Sequence, residues 1–191
     1  MSGAGFHVHG PHDHEVEHAA QHEPTGMAGQ IAVVTAVIAT IGALFAYEGG
    51  ATQANAGLYK NEAAIKKTEA SNQWNFYQAK SGKQNLSELA LEMVPEARKP
   101  FYVDEVKRYK AEKAEIKAAA EKLEQEYKEW DRKSDEQMHQ HHRWAQATTA
   151  LQVAIAMAAI ALLTRSKKLE YLMFGVSVVG LGLGVAAWFH V

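Results

Sequence analysis

Six of the ten histidines in this chain fall within its first 22 positions: His7, His9, His12, His14, His18 and His22. Neutral imidazoles interleaved with Asp13, Glu15 and Glu17 make a donor set suited to Zn, Ni or Cu, and His14, His18 and His22 would share one face of a helix. The same tract also reads as a pH-sensitive polyelectrolyte or a solvated tail, because spacing alone fixes neither ligand number nor geometry. A second group is Asp135, Glu136, His139, His141 and His142, just before Arg143 and Trp144. Within it Glu136, His139 and His142 are the candidate ligands, since Glu136-x-x-His139 has the spacing of half a bundle di-metal site. Such a site needs a matching half on a facing helix. Glu15-x-x-His18 repeats the spacing, but the topology below puts it across the bilayer. The preferred reading is therefore a belt of amphipathic side chains where a helix enters lipid.

Nucleophilic chemistry finds little support. The chain has no cysteine, which excludes disulfides, thiolate metal sites and cysteine nucleophiles. There is no phosphate loop and no Ser/His/Asp constellation. Lys80 and Lys83 are the amines that invite a covalent mechanism, but glutamates fall opposite both in the pairing described below, so ion pairs are the simpler account. A net charge of −2 over 191 residues gives no case for nucleic acid as a partner.

The elements that position these residues follow from hydropathy. The mean hydropathy of −0.29 hides strong segregation, and windows rather than means decide membrane questions. Three blocks carry almost no charge: residues 27–47, 147–164 and 171–189. At about 1.5 Å rise per residue, blocks of roughly 18–21 residues match the ~30 Å hydrocarbon core of a bilayer. Tyr47, Trp144, Tyr171 and Trp188 stand where its interfaces belong. The first block lacks a basic segment before it, since no Lys or Arg precedes Lys60, and it reads as a retained span rather than a signal peptide. Small residues recur at four-residue spacing in all three, with Gly180 and Gly184 the sharpest pair, predicting a close helix contact. No charged residue lies inside a span, which argues against ion-coupled transport.

Between the first two spans, residues 48–146 are polar and helical in pattern, broken once by Pro95 and Pro100. The second arm carries a heptad, Tyr102, Tyr109, Ile116, Leu123 and Trp130, interleaved with Val106, Ala120 and Tyr127 and interrupted at Lys113. In the first arm Leu58, Ile65, Ala79, Leu86 and Met93 share one phase, broken at Asn72. Folding the arms about the prolines pairs Lys60 with Asp135, Glu62 with Lys133, Lys66 with Glu129, Lys80 with Glu115, Lys83 with Glu112, and Glu88 with Lys107. Two like pairs stand against them, Lys67 with Lys128 and Glu69 with Glu126. The same fold sets Tyr77 across from Ala118, Trp74 across from Glu121, and Trp130 against Ile65. The expected fold is all-α: three transmembrane helices plus a long antiparallel, coiled-coil-like helical hairpin with its turn at 95–100. A rival arrangement pairs the same arms between subunits. Residues 1–26 form a His-rich tail and residues 165–170 a basic loop.

The segment Trp74-Asn75-Phe76-Tyr77-Gln78-Ala79-Lys80-Ser81, with Lys83 and Gln84 after it, resembles bacterial membrane proteins grouped as domain of unknown function 4337. His141-His142-Arg143 and Leu162-Leu163-Thr164-Arg165 add to the likeness, which covers roughly residues 27 to 189. The resemblance implies a bacterial inner membrane and no particular activity, and it marks Trp74, Tyr77, Gln78, Lys80 and Ser81 as a unit. Three basic residues in the loop 165–168 place it and the N-terminal tail in the cytoplasm, with the hairpin periplasmic. The functional expectation is a non-enzymatic scaffold or accessory protein. It would self-associate through its hairpin and small-residue spans, with the lipid bilayer, a second copy or another membrane protein as partner. The alternatives are a divalent-metal binder or sensor using the tail, and a membrane enzyme with a metal site near Glu136 and His139.

Overall fold

The computed structural model describes residues 26–190, so the six tail histidines lie outside the described residues. Within them the chain is helical, with three long helices and no strand: α1 (Met27–Met93), α2 (Lys99–Thr164) and α3 (Lys167–Trp188). Each apolar block and the polar arm beside it form one unbroken helix, so no element boundary falls at residues 47 or 147. Sequences rich in Ala, Leu, Glu, Lys and Gln have no local reason to stop. The reason arrives at Pro95, which cannot donate a backbone hydrogen bond and adopts an extended φ/ψ of −56°/149°. A single turn of 3-10 helix follows over Glu96–Arg98, where Lys99 pairs with Glu96. Pro100 then occupies the first turn of α2, where its missing N–H has no intrahelical partner to lose.

The expected loop at 165–170 is shorter than its composition suggested. α2 ends at Thr164, Arg165 turns the chain with a φ of 51°, and α3 already begins at Lys167. Ser166 N–H reaches back to Ala161 O at 3.3 Å, which closes the helix end. Glu170 is therefore a first-turn helix residue and is buried, a favourable end of the helix for a carboxylate.

Two units make up the chain, residues 54–137 on one hand and the residues flanking them on the other. In the flanking unit Ile31, Ile38, Leu151, Ala154, Ala158, Ala161 and Met173 are buried together. Large apolar side chains also face outward: Val33, Val37, Leu44, Val153, Ile160, Leu163, Leu172, Val178 and Val179 are all exposed. Each of its three helices carries a window long and apolar enough to cross a membrane, by length and composition.

In the unit 54–137 the two arms touch along their length. Lys60 Nζ lies 2.6 Å from Asp131, Lys66 3.3 Å from Glu126, and Lys80 2.5 Å from Glu112. Ser134 Oγ donates to the backbone oxygen of Ala56 at 2.9 Å. The buried or half-buried positions of α2 follow the expected heptad through Tyr102, Tyr109, Ile116, Leu123 and Trp130. Those of α1 do not. Its inward row is Ala56, Ala63, Ala70, Tyr77 and Gln84, whereas Leu58 is 61% exposed, Leu86 68% and Met93 77%. Size explains part of the correction. Between the Lys60–Asp131 and Lys66–Glu126 contacts Ala63 lies opposite the bulk of Tyr127 and Trp130, large against small.

Candidate functional site

Trp74, Tyr77 and Lys80 lie on the inward side of α1 at spacings of three, so consecutive side chains share a face. Trp74 and Tyr77 pack edge to face, with ring centres 5.7 Å apart. Trp74 Nε1 donates to Glu124 at 2.8 Å, a partner that the simple facing rule missed by choosing Glu121. Lys80 donates to Glu112 rather than to Glu115, and its amine also lies over the rings of Phe76 (5.2 Å) and Tyr109 (5.6 Å). That leaves Lys83 and Glu115 exposed, without an ion-pair partner among the described residues. Lys60 keeps Asp135 at 4.0 Å but holds Asp131 more closely. Lys66 and Glu88 shift by about a turn, to Glu126 and Lys110, because a long side chain reaches past the residue directly opposite, while Lys133 pairs with Glu129 and leaves Glu62 without an ion-pair partner among the described residues.

Lys113, the polar interruption in the α2 heptad, is accommodated by two groups. Its amine lies over the Tyr77 ring at 4.9 Å and donates to Gln84 Oε1 at 3.2 Å, and Gln84 in turn donates to Glu88. Trp130 packs at a tilt against Tyr59 with ring centres 5.5 Å apart, and Lys133 covers it at 4.4 Å.

The charge states follow from these contacts. The hydrogen bond from Lys80 holds the Glu112 carboxyl below its usual range, and that from Lys133 does the same for Glu129. Bonds to Asp131, and to Glu69 and Glu126, raise Lys60 and Lys66. Every one of these groups stays charged at neutral pH, as ion pairs between arms or along one helix require. The arrangement positions aromatic rings between fixed charges. Each of its lysine amines that has a partner is satisfied by a carboxylate, an amide or a ring face.

The flanking unit has its own cluster. Gly49 O accepts a 2.8 Å bond from His141 Nδ1, and a Cβ on Gly49 would come within 3.3 Å of the Trp144 Cβ. Trp144 lies 5.2 Å from Phe45 and 6.4 Å from Trp188, centre to centre. Gln140, which the sequence reading did not single out, is buried and donates to Ala187 O at 3.3 Å and contacts His190. Glu136 is held by Arg132 at 2.5 Å, His139 is exposed, and His142 lies against His141. Among the described residues no group of three or more His, Asp or Glu side chains is placed to hold a metal ion. Gly180 and Gly184 are buried contact points, as their spacing predicted. A Cβ at Gly180 would meet Leu151 Cδ2 at 2.7 Å, and one at Gly184 would overlap the Phe45 ring. Both partners belong to the same chain.

A family described as a domain of unknown function (DUF4337) matches residues 27–190. The chain belongs to that family. The matched segment takes in both arms and all three apolar blocks and begins just after the His-rich tail. No curated protein and no solved structure matches the chain. The DUF4337 segment contains the Trp74–Lys80 cluster, the Gly49–Trp144 contact and the Gly180–Leu151 contact alike.

Proposed function

We propose that this DUF4337 protein is an integral protein of the bacterial inner membrane and serves there as a non-enzymatic scaffold or accessory subunit. In this reading α1, α2 and α3 each cross the bilayer once. The arms form a coiled-coil-like antiparallel hairpin in the periplasm, and the tail and the Arg165–Lys168 turn face the cytoplasm. One observation carries the membrane assignment: three helices with long apolar windows leave most of each window outside the interior, large side chains such as Leu44, Ile160, Leu163 and Leu172 included. In water so much uncovered apolar surface is unfavourable, since large apolar groups gain most by burial. In lipid it is expected, because close packing of small residues holds helices together while Val, Leu and Ile face the acyl chains.

The scaffold reading rests on what the polar arms offer. Most of their cationic and anionic groups are engaged in ion pairs, and large apolar side chains such as Leu58, Leu86 and Met93 stand uncovered. Exposed apolar surface of that kind marks interaction sites. Gly180 and Gly184 are filled from within the chain, so self-association is assigned to the hairpin and not to that small-residue pair. Alkaline carbonate extraction tests the membrane assignment, with the protein expected to stay in the pellet. Release into the supernatant overturns it. Native mass spectrometry in mild detergent tests the scaffold, with multimers or a co-purifying membrane protein expected. A strict monomer that co-purifies with nothing overturns it.

A further inference from the structure

Leu58, Ile65, Leu86 and Met93 of α1 share one seven-residue phase, and Phe76 stands among them. All five are at least half exposed. The outer side of α2 is the reverse in size, with Ala111, Ala114 and Ala118 exposed at spacings of three and four. The aliphatic row and the alanines face away from the seam between the arms, with Phe76 at its edge beside Lys80, so one chain cannot bring the two surfaces together. The cross-contacts Lys60–Asp131, Lys80–Glu112 and Glu88–Lys110 show which residues lie at the same level along the arms. By that scale Phe76 shares a level with Ala118. In the unit 54–137 four charges on α1 have no ion-pair partner among the described residues: Glu62, Lys67, Lys83 and Glu92. Glu62, Lys83 and Glu92 each lie within about one helical turn of the level of an unpaired, opposite charge on α2, namely Lys128, Glu115 and Lys107, and the amine of Lys67 rests on the Tyr127 ring of its own chain.

From this size and charge complementarity we infer that the exposed face of α1 in one copy docks on the alanine face of α2 in the next copy. The inference rests on the reading of self-association within one bilayer. Copies held in one membrane differ by a rotation about its normal, which preserves level, so Phe76 meets Ala118 and Lys83 meets Glu115 of the neighbour. A two-fold contact of α1 with itself would set Glu62 against Glu62 and Lys83 against Lys83, and like charges in register repel. The contact is therefore head to tail and repeats from copy to copy around a ring.

The absence of native cysteine gives a blank background for the test. Two differently tagged full-length chains, one Phe76→Cys and one Ala118→Cys, are co-expressed and oxidised in isolated membranes. A disulfide joining the two tags is expected, several-fold above the cross-linking of either variant expressed alone. Lys83→Glu should reduce it, and Lys83→Glu with Glu115→Lys should restore it. A Phe76→Cys chain cross-linking mainly to itself overturns the inference in favour of two-fold packing. Multimers in native mass spectrometry without the mixed disulfide leave self-association standing and overturn this interface alone. A monomer without the disulfide overturns both.

Discussion

At Gly180 the missing side chain is what allows Leu151, fully buried, to lie against the backbone of α3. Adding one methyl group there forces a buried leucine and the neighbouring Ala150 to move together. Gly180→Ala should cost about 1–3 kcal/mol through overpacking, read as a lower thermal midpoint in detergent. Gly184→Ala meets only the far end of the half-buried Phe45 ring, so Phe45→Leu should restore much of its loss, whereas Gly182→Ala meets nothing within 4 Å and should be silent. A Gly182→Ala loss as large as that of Gly180→Ala would contradict this packing. Trp74 presents a different case, a ring whose one polar atom is bonded to a carboxylate. Trp74→Phe keeps most of the apolar contact and loses the bond to Glu124, with an expected cost of about 1–2 kcal/mol. Glu124→Gln keeps an acceptor and should cost less.

Along the two arms the ion pairs set a pH window. Glu112 and Glu129 have lowered values in the folded chain, so their contribution is present above the ordinary carboxylate value of 4.5 and is lost as pH falls through the folded value. Lys60 and Lys66 have raised values, so theirs is present below 10.5 and is lost as pH rises through the folded value. Thermal melts followed by circular dichroism should therefore show a plateau between these limits and a decline on both sides. The decline should be modest, because all four groups are solvent-accessible and screened. The acid decline should shrink in Glu112→Gln, which has no carboxylate to protonate. An acid limb of undiminished size in that variant would assign the effect elsewhere. The seam itself is less sensitive to pH, since its centre is built from alanine, isoleucine and aromatic rings.

For the whole molecule, the proposed topology puts the two ends of the hairpin and the Arg165–Lys168 turn on opposite sides of one bilayer. Single cysteines at Gln125 and Ser166 report on it without any background thiol. In spheroplasts a membrane-impermeant maleimide should label Gln125→Cys and spare Ser166→Cys until the cells are lysed. The opposite pattern would invert the protein. Assembly through the hairpin also predicts that a chain lacking residues 1–26 keeps the native mass distribution, with or without a chelator. Loss of multimers on truncation or chelation would instead favour the metal-binding tail, whose histidines lie outside both the described residues and the matched family segment.

How much of this was legible in the residues varies with the physical signal. An all-helical chain, the break at Pro95 and Pro100, the α2 heptad and the close approach at Gly180 and Gly184 were all fixed by local properties: propensity, a missing donor, period and size. The seam of α1 was not. Its most apolar row, Leu58 to Met93, faces outward, and Ala56, Ala63, Ala70, Tyr77 and Gln84 take the inner side, with Ala63 opposite the bulk of Tyr127 and Trp130. Lys66, Lys80 and Glu88 chose partners a turn away from those expected, as flexible lysine stems allow, while the pairs expected for Glu62 and Lys83 did not form. Which helix a small residue serves is likewise decided only in three dimensions, and here Gly180 and Gly184 serve their own chain.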